Sequence, residues 1–307
     1  MITIVEYALR PSRIAASKIS VNISTNTRYI PTASEMLQLD EIGKDRFRAC
    51  HNLDNMAGVT FGGQALGQSL AAATRTVSNW QCHSLNGIFM RGGIIDDAID
   101  YVVERLSDSR SFATRRVTAE QGGRVIFELQ CSFHAGEQGI CHQFTDLGNP
   151  ADPESLISLE MFARQNNHRL PEHIIAVLSK PYIFELRMLN PEHYFDGPDT
   201  AFRDFWIRTP SAADIGDERD HHSLLALMSD YWLPGTIAVP HRHEAGIKFL
   251  ASLNHSLWIH AAVKVDQWLL YRTESHWAAN GRGLVTGKIF SQSGELIASV
   301  AQEAVLR

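Results

Sequence analysis

Phe61-Gly62-Gly63-Gln64-Ala65-Leu66-Gly67-Gln68-Ser69-Leu70 is the stretch on which the fold turns. Its two adjacent glycines mark a turn. The residues that follow, 65–77, are rich in Ala and Leu, and Ala65, Leu66, Leu70, Ala73 and Val77 recur near helical spacing, which predicts a helix. Downstream, 83–91, 98–106, 111–120 and 125–134 are strand-length runs separated by turn residues that include Gln121-Gly122-Gly123, the pattern of an antiparallel meander. Upstream, 46–53 reads as a strand broken by turn signals at 54–58. One helix followed by a meander is the plan of this half.

The plan recurs. Residues 201–208 read as a strand, 222–233 as a strongly apolar helix closed by Pro234-Gly235, and 247–253, 268–277, 283–290 and 296–306 as four further strands. Thr114-x-Arg116-Val117 matches Thr286-x-Lys288-Ile289, and Gly123-Arg124-Val125-Ile126 matches Gly294-Glu295-Leu296-Ile297, with a one-residue gap between the two hairpins. Matching residues in matching order indicate an internal duplication. A helix wrapped by an antiparallel sheet is the hotdog arrangement, so the expected fold is α+β, a double hotdog. The expected division is an arm at 1–32, a first hotdog at 33–140, a connector at 141–180 with a helical stretch from 154, and a second hotdog at 181–307.

The bulk numbers narrow the class of function. At 307 residues, 44% hydrophobic and 20% charged, the chain has the composition of an ordinary globular protein. Its net charge of −6 provides no basic excess to neutralise phosphates, which argues against a nucleic-acid partner. Cys50, Cys82, Cys131 and Cys141 are widely spaced and form no C-x-x-C pair, as expected of reduced thiols in the cytoplasm. No apolar run approaches the roughly 18 residues of a membrane span. Charge interrupts the start too early for a signal sequence, and the end lacks a Ser-Lys-Leu tripeptide. The expectation is a soluble cytoplasmic protein with no membrane partner.

Several motifs together resemble the acyl-CoA thioesterase II family, the TesB-type double-hotdog thioesterases. They are Phe61-Gly62-Gly63-Gln64 with Gly67-Gln68, Ser111-Phe112-Ala113-Thr114-Arg115-Arg116-Val117, Asn254-His255-Ser256-Leu257-Trp258-Ile259-His260, Trp268-Leu269-Leu270-Tyr271, and Gly281-Arg282-Gly283 through Ala301-Gln302-Glu303. The resemblance covers about 45–134 and 200–307. It implies hydrolysis of acyl-CoA to free acid and coenzyme A, with no cofactor beyond the coenzyme A of the substrate, and assembly as dimers or tetramers.

The family's water is oriented by an Asp, a Thr or Ser, and a Gln from the second hotdog. Matched onto polar residues of the strand-like C-terminal segments, these fall on Asn254, His276 and Gln302. Only the Gln keeps its type. An Asn holds water but accepts no proton at neutral pH, whereas an imidazole titrates near about 6.5 and is the commonest general base. His276 is therefore the candidate base, with Asn254 and Gln302 orienting water and carbonyl. The departures leave two alternatives open: a dehydratase or other tailoring reaction on the same fold, and an acyl-CoA-binding protein without catalysis.

Phe61, Gly62, Gly63 and Gln64 are candidate substrate-binding residues, because glycines ahead of a helix allow close backbone approach and free N–H groups there favour negative charge. Arg282, with Arg91, Arg110, Arg115 and Arg116, is a candidate for the coenzyme A phosphates. His221-His222 and His241-x-His243 lack the further ligands of a zinc site, so no metal is expected. No G-x-S-x-G elbow is present.

Overall fold

The computed structural model describes residues 29–55, 58–170, 175, 178–179, 181–191, 200–241, 247 and 249–307. Most of the expected arm, the end of the connector and His243 therefore lie outside the described residues. Among those described, the helices are α1 (Ala33–Leu37), α2 (Gly62–Thr74), α3 (Leu159–Gln165) and α4 (Glu218–Ser229). The strands of the first half are β1 (Asp40–Gly43), β2 (Arg46–Ala49), β3 (Gln81–Phe89), β4 (Ile99–Asp108), β5 (Phe112–Gln121) and β6 (Arg124–His134). Those of the second are β7 (Glu185–Met188), β8 (Phe202–Arg208), β9 (Leu250–Ser252), β10 (Asn254–Ile259), β11 (Leu269–Ala279), β12 (Arg282–Ser291) and β13 (Leu296–Leu306).

Local chemistry sets the long hairpins. Gly122-Gly123 links β5 to β6 and Asn280-Gly281 links β11 to β12, and all four residues have positive φ, between 53° and 74°. Both central positions of a two-residue type I′ turn require that conformation, and its twist matches the strands it joins. The second hairpin is the Asn-Gly form of this signal.

The strands form one antiparallel sheet in the order β1-β2-β4-β5-β6-β3-β10-β13-β12-β11-β8-β7, with β9 on β13. The order reads the same from either end, helix-flanking strand to central strand, as expected of two copies of one unit related by a pseudo-two-fold. The copies meet where β3 pairs with β10, Leu85 opposite Leu257 and Asn86 opposite Ser256. This is the α+β double hotdog expected from the sequence.

Each half wraps its sheet around a helix, and the two helices pack against each other. Every residue of α2 is buried, so it is a core helix and not an amphipathic surface one. A Cβ at Gly63 would lie 2.2 Å from the Leu227 carbonyl oxygen, and one at Gly67 would lie 2.8 Å from that of Ser223. Glycine at these positions lets the backbones of α2 and α4 touch. The pairing is antiparallel and sets the start of α2 beside the end of α4. Leu66, Leu70, Leu224, Leu225 and Leu227 are fully buried around the contact, each contributing about 1.5–3 kcal/mol. A branched side chain at Gly67 would separate the helices.

The structure departs from the sequence reading at two points that shape the site. Helix α4 begins earlier and ends earlier than 222–233. It starts at Glu218 because the Asp217 side chain accepts the Arg219 N–H, an N-cap. It stops at Ser229, with Asp230 as C-cap and Trp232 at φ 64°. The strand read at 247–253 is instead the three-residue β9, followed by the separate β10. Among the described residues, no helix is long and apolar enough to cross a membrane.

Candidate active site

Ending α4 at Ser229 leaves a carboxylate, Asp230, only 5% exposed between the two helices. A negative charge at a helix C-terminus is locally unfavourable, and burial adds a cost unless partners compensate. The partners come from two strands. Gln302 of β13, fully buried, donates from Nε2 to Asp230 Oδ1 at 2.8 Å and to Ser252 Oγ of β9 at 2.5 Å. Ser252 Oγ in turn lies 3.3 Å from Asp230 Oδ1 as donor. The other carboxylate oxygen faces α2: a Cβ on Gly62 would come within 2.7 Å of Asp230 Oδ2. The first turn of a helix carries N–H groups without intrahelical partners and the positive end of the helix dipole, so α2 offsets what α4 imposes on the same carboxylate.

Behind this set lies His255 of β10, fully buried. Its Nδ1 is 3.0 Å from Gln302 Oε1 and its Nε2 is 2.8 Å from Ser229 Oγ. Burial pushes the imidazole pKa down, opposed by the charge of Asp230 and the bond to Gln302. Tyr271 donates its hydroxyl to the Ser229 carbonyl at 2.7 Å. One flank is aromatic. Phe61 lies edge-on to Tyr231 at 6.0 Å between centroids, and Tyr182 and Phe184, from the segment before β7, pack on Tyr231 at 5.2 and 4.9 Å.

The strands aim these side chains through a bulge. Ser252 pairs with Ala304, whereas Ser256 pairs with Ala301, so the register slips by one residue at Leu253. In a regular strand Ser252 and Asn254 would share a face. The extra residue reverses this: Ser252 and His255 point inward together, and Asn254 points outward, where its Oδ1 accepts the Glu303 N–H at 3.0 Å. Bulges beside functional sites re-aim side chains in this way.

The structure therefore does not bring the sequence-matched trio together. Gln302 lies at the centre of the polar set, but Asn254 occupies the opposite face of the sheet. His276 is exposed at a second bulge, between Ser275 and Trp277, with Nε2 3.0 Å from Thr286 Oγ1 and Nδ1 3.8 Å from Glu274. Neither faces Gln302; the carboxylate that does is that of Asp230. Sequence reading missed Asp230 and Ser252, though each left a signal. Asp230 is a lone acid in the apolar run Leu224-Leu225-Ala226-Leu227-Met228-Ser229-Asp230-Tyr231-Trp232-Leu233, and Ser252 stands two residues before Asn254.

The other candidates separate as well. Phe61 and Gly62 border the site. Gly63 packs on the α4 backbone instead, and buried Gln64 is consumed structurally, accepting the Leu53 N–H at 2.6 Å and donating to Asn52 Oδ1 at 2.6 Å. Arg282 pairs with Glu303 at 2.9 Å on the outer face. Arg115 is buried and bonded to Thr76, Ser107 and Asp108, so it cannot meet a phosphate. Arg116 pairs with Glu104 and Glu128, while Arg91 and Arg110 are exposed. His221 is held by the Ile215 carbonyl and the Val265 N–H. Among the described residues no group of His, Cys, Asp and Glu could hold a metal ion.

A buried carboxylate beside a hydroxyl, a primary amide and a helix N-terminus can hold a water, take its proton and stabilise a developing oxyanion.

Comparisons with known proteins bear on the same two halves. Residues 52–134 match the family model described as acyl-CoA thioesterase N-terminal domain, and 160–306 match acyl-CoA thioesterase C-terminal domain. Acyl-coenzyme A thioesterase 8 of Homo sapiens is 34% identical over 281 residues, covering 89% of this chain and 88% of that protein. Acyl-CoA thioesterase 2 of Haemophilus influenzae is 32% identical, covering 80% and 87%. The crystal structure of acyl-CoA thioesterase II TesB2 from Mycobacterium marinum superposes with a TM-score of 0.72 at 33% identity, covering 90% of this chain and 96% of that one.

Proposed function

This chain belongs to the TesB-type acyl-CoA thioesterase family, and we propose that it hydrolyses acyl-CoA thioesters with a water held by Asp230, Ser252 and Gln302. The observation that carries the reading is the junction of those three side chains at the end of α4, within 3.3 Å of one another. They supply the Asp, Ser and Gln types implied by the family resemblance. Asp230 accepts a proton from the water as its oxygen attacks the thioester carbonyl carbon, while Ser252 and Gln302 fix the approach. The carbonyl oxygen, gaining negative charge, lies toward the N–H groups at the start of α2, where Gly62, without a side chain, lets groups come close to the backbone, as Asp230 Oδ2 does. The C–S bond then breaks, and the proton on Asp230 passes to the leaving thiolate. The products are the free acid and coenzyme A, and no cofactor enters the balance. The aromatic flank of Phe61, Tyr182, Phe184 and Tyr231 supplies apolar surface for the acyl or pantetheine chain.

We take the cytoplasm as the site of action, in keeping with four unpaired thiols, and a homodimer or homotetramer as the working form. Exposed Trp258, Ile88 and Phe112 on the outer sheet face are the surface such an assembly would cover.

Thiol release from a panel of acyl-CoAs tests the reading. Asp230→Asn and Gln302→Ala should each lower kcat by at least about 10²-fold, the usual contribution of a positioned acid–base or oxyanion group. Wild-type rates in Asp230→Asn would refute it.

A further inference from the structure

We infer that His255 is the residue that positions the hydrolytic water, acting through Gln302: its Nδ1–H donates to Gln302 Oε1 and so decides which way round the amide stands. The inference rests on the reading of Asp230, Ser252 and Gln302 given above.

A glutamine amide is nearly symmetric in shape and opposite in chemistry at its two ends. With Oε1 toward His255, the Nε2 hydrogens face Asp230 Oδ1 at 2.8 Å and Ser252 Oγ at 2.5 Å. Turned by half a rotation, the amide would press Oε1 against the carboxylate and withdraw the Nε2 hydrogens from both Asp230 and Ser252. What holds the first orientation is a hydrogen on Nδ1, 3.0 Å from Oε1. Bulk solvent does not supply that hydrogen, because Gln302 and His255 are both fully buried and His255 fills the place beside Oε1.

The same bond network selects the tautomer. A neutral imidazole carries one N–H, so if Nδ1 donates, Nε2 must accept. The group facing Nε2 is Ser229 Oγ, at 2.8 Å, and that hydroxyl also lies 2.8 Å from the Ala226 carbonyl. If Ser229 donated to Ala226, Nε2 would carry the hydrogen and Nδ1 would turn a lone pair on Oε1. Only Ser229 donating to Nε2 satisfies His255, Gln302, Ser252 and Asp230 together without a buried imidazolium, the form that burial disfavours. Ser229, the last residue of α4, thus selects the tautomer, and Asp230, the next residue, receives its consequence. This is how an outer residue orients a catalytic one.

Variants at His255 separate positioning from filling. Asn sets an amide N–H near the place of Nδ1, Gln sets one near Nε2, and Phe keeps the ring volume with no donor. His255→Asn should keep kcat within about 5-fold of wild type. His255→Gln and His255→Phe should lose about 10²-fold in kcat with KM changed by less than about 3-fold, the split of a group acting on the chemical step. Ser229→Ala should lose about 10-fold in kcat. Asp230→Asn is assayed beside them. If it retains the wild-type rate, the underlying site assignment fails. If it is inactive while His255→Phe matches wild type, or while Asn, Gln and Phe lose equally, the His255 inference alone fails. Nitrogen-15 spectra of the wild-type protein provide a reading independent of variants: the Nδ1–H tautomer of His255 is expected, and an Nε2–H tautomer would overturn the proposal.

Discussion

The two halves run the same strands in mirrored order, yet they fill the same inner face differently. Where β3 meets β6, Leu85 stands opposite Cys131, both buried. Where β10 meets β13, the corresponding inner pair is His255 and Gln302. The helices diverge at the same end. The C-cap of α2 is Arg75, exposed, donating to the Leu37 and Leu39 carbonyls, the charge sign that suits a helix C-terminus. The C-cap of α4 is buried Asp230, the opposite sign. The first half thus completes its helix end for stability, and the second gives up that stability to hold a buried carboxylate. Duplication supplied two frames, and only one of them carries the polar set.

The buried polar residues can be tested on the same terms. Arg115 in the first half is saturated with partners, so Arg115→Met should cost about 2–4 kcal/mol in unfolding free energy through orphaned acceptors and a cavity, with kcat per folded molecule retained. His222 in the second half is the counter-case. Neither ring nitrogen has a hydrogen-bond partner among the described residues, Glu218 lies 3.7 Å away, and burial holds the pKa down to about 4. The unfolded chain, near the ordinary 6.5, then binds more protons than the folded one. Stability is complete above pH 6.5 and is lost as pH falls toward 4, by at most about 3 kcal/mol. Denaturant titrations from pH 7 to 4 should show a shallower acid loss in His222→Met than in wild type.

Gly62→Ala places a methyl group 2.7 Å from Asp230 Oδ2. It should lower kcat by about 10- to 100-fold, or about 1.4–2.7 kcal/mol in barrier, with little change in melting temperature. Asp230→Asn, beyond its expected loss of turnover, should raise unfolding free energy by about 0.3–1 kcal/mol, because it removes a charge from the wrong end of α4. A loss of stability would break the contrast with Arg75. The smallest effect belongs to the outer face: Asn254→Ala and His276→Ala should each leave thiol release within about 2-fold of wild type, with Asn254→Ala costing about 1 kcal/mol for the lost Glu303 bond.

These outer-face residues show where sequence reading reaches its limit. The strand that carries Gln302 was legible because it is strongly patterned, and its observed bounds match the reading, 296–306. Asn254 was misread because one extra residue at Leu253 inverts the inside–outside alternation, and a bulge leaves no mark in composition. Asp230 was hidden by its neighbours, since an acid in an apolar run counts there as helix surface until the helix is known to end one residue earlier.

The amino-acid sequence by itself determined the helix-then-meander plan, its duplication, the glycine-bearing turns of the hairpins and the double hotdog they imply, because periodicity and turn chemistry act over a few residues. Only the tertiary structure decided which polar groups share the site. Asp230, Ser252, His255 and Gln302 come from four elements, brought together by the α2–α4 contact and a one-residue register slip. Their chemistry depends on distances of a few ångströms, and no local pattern encodes those.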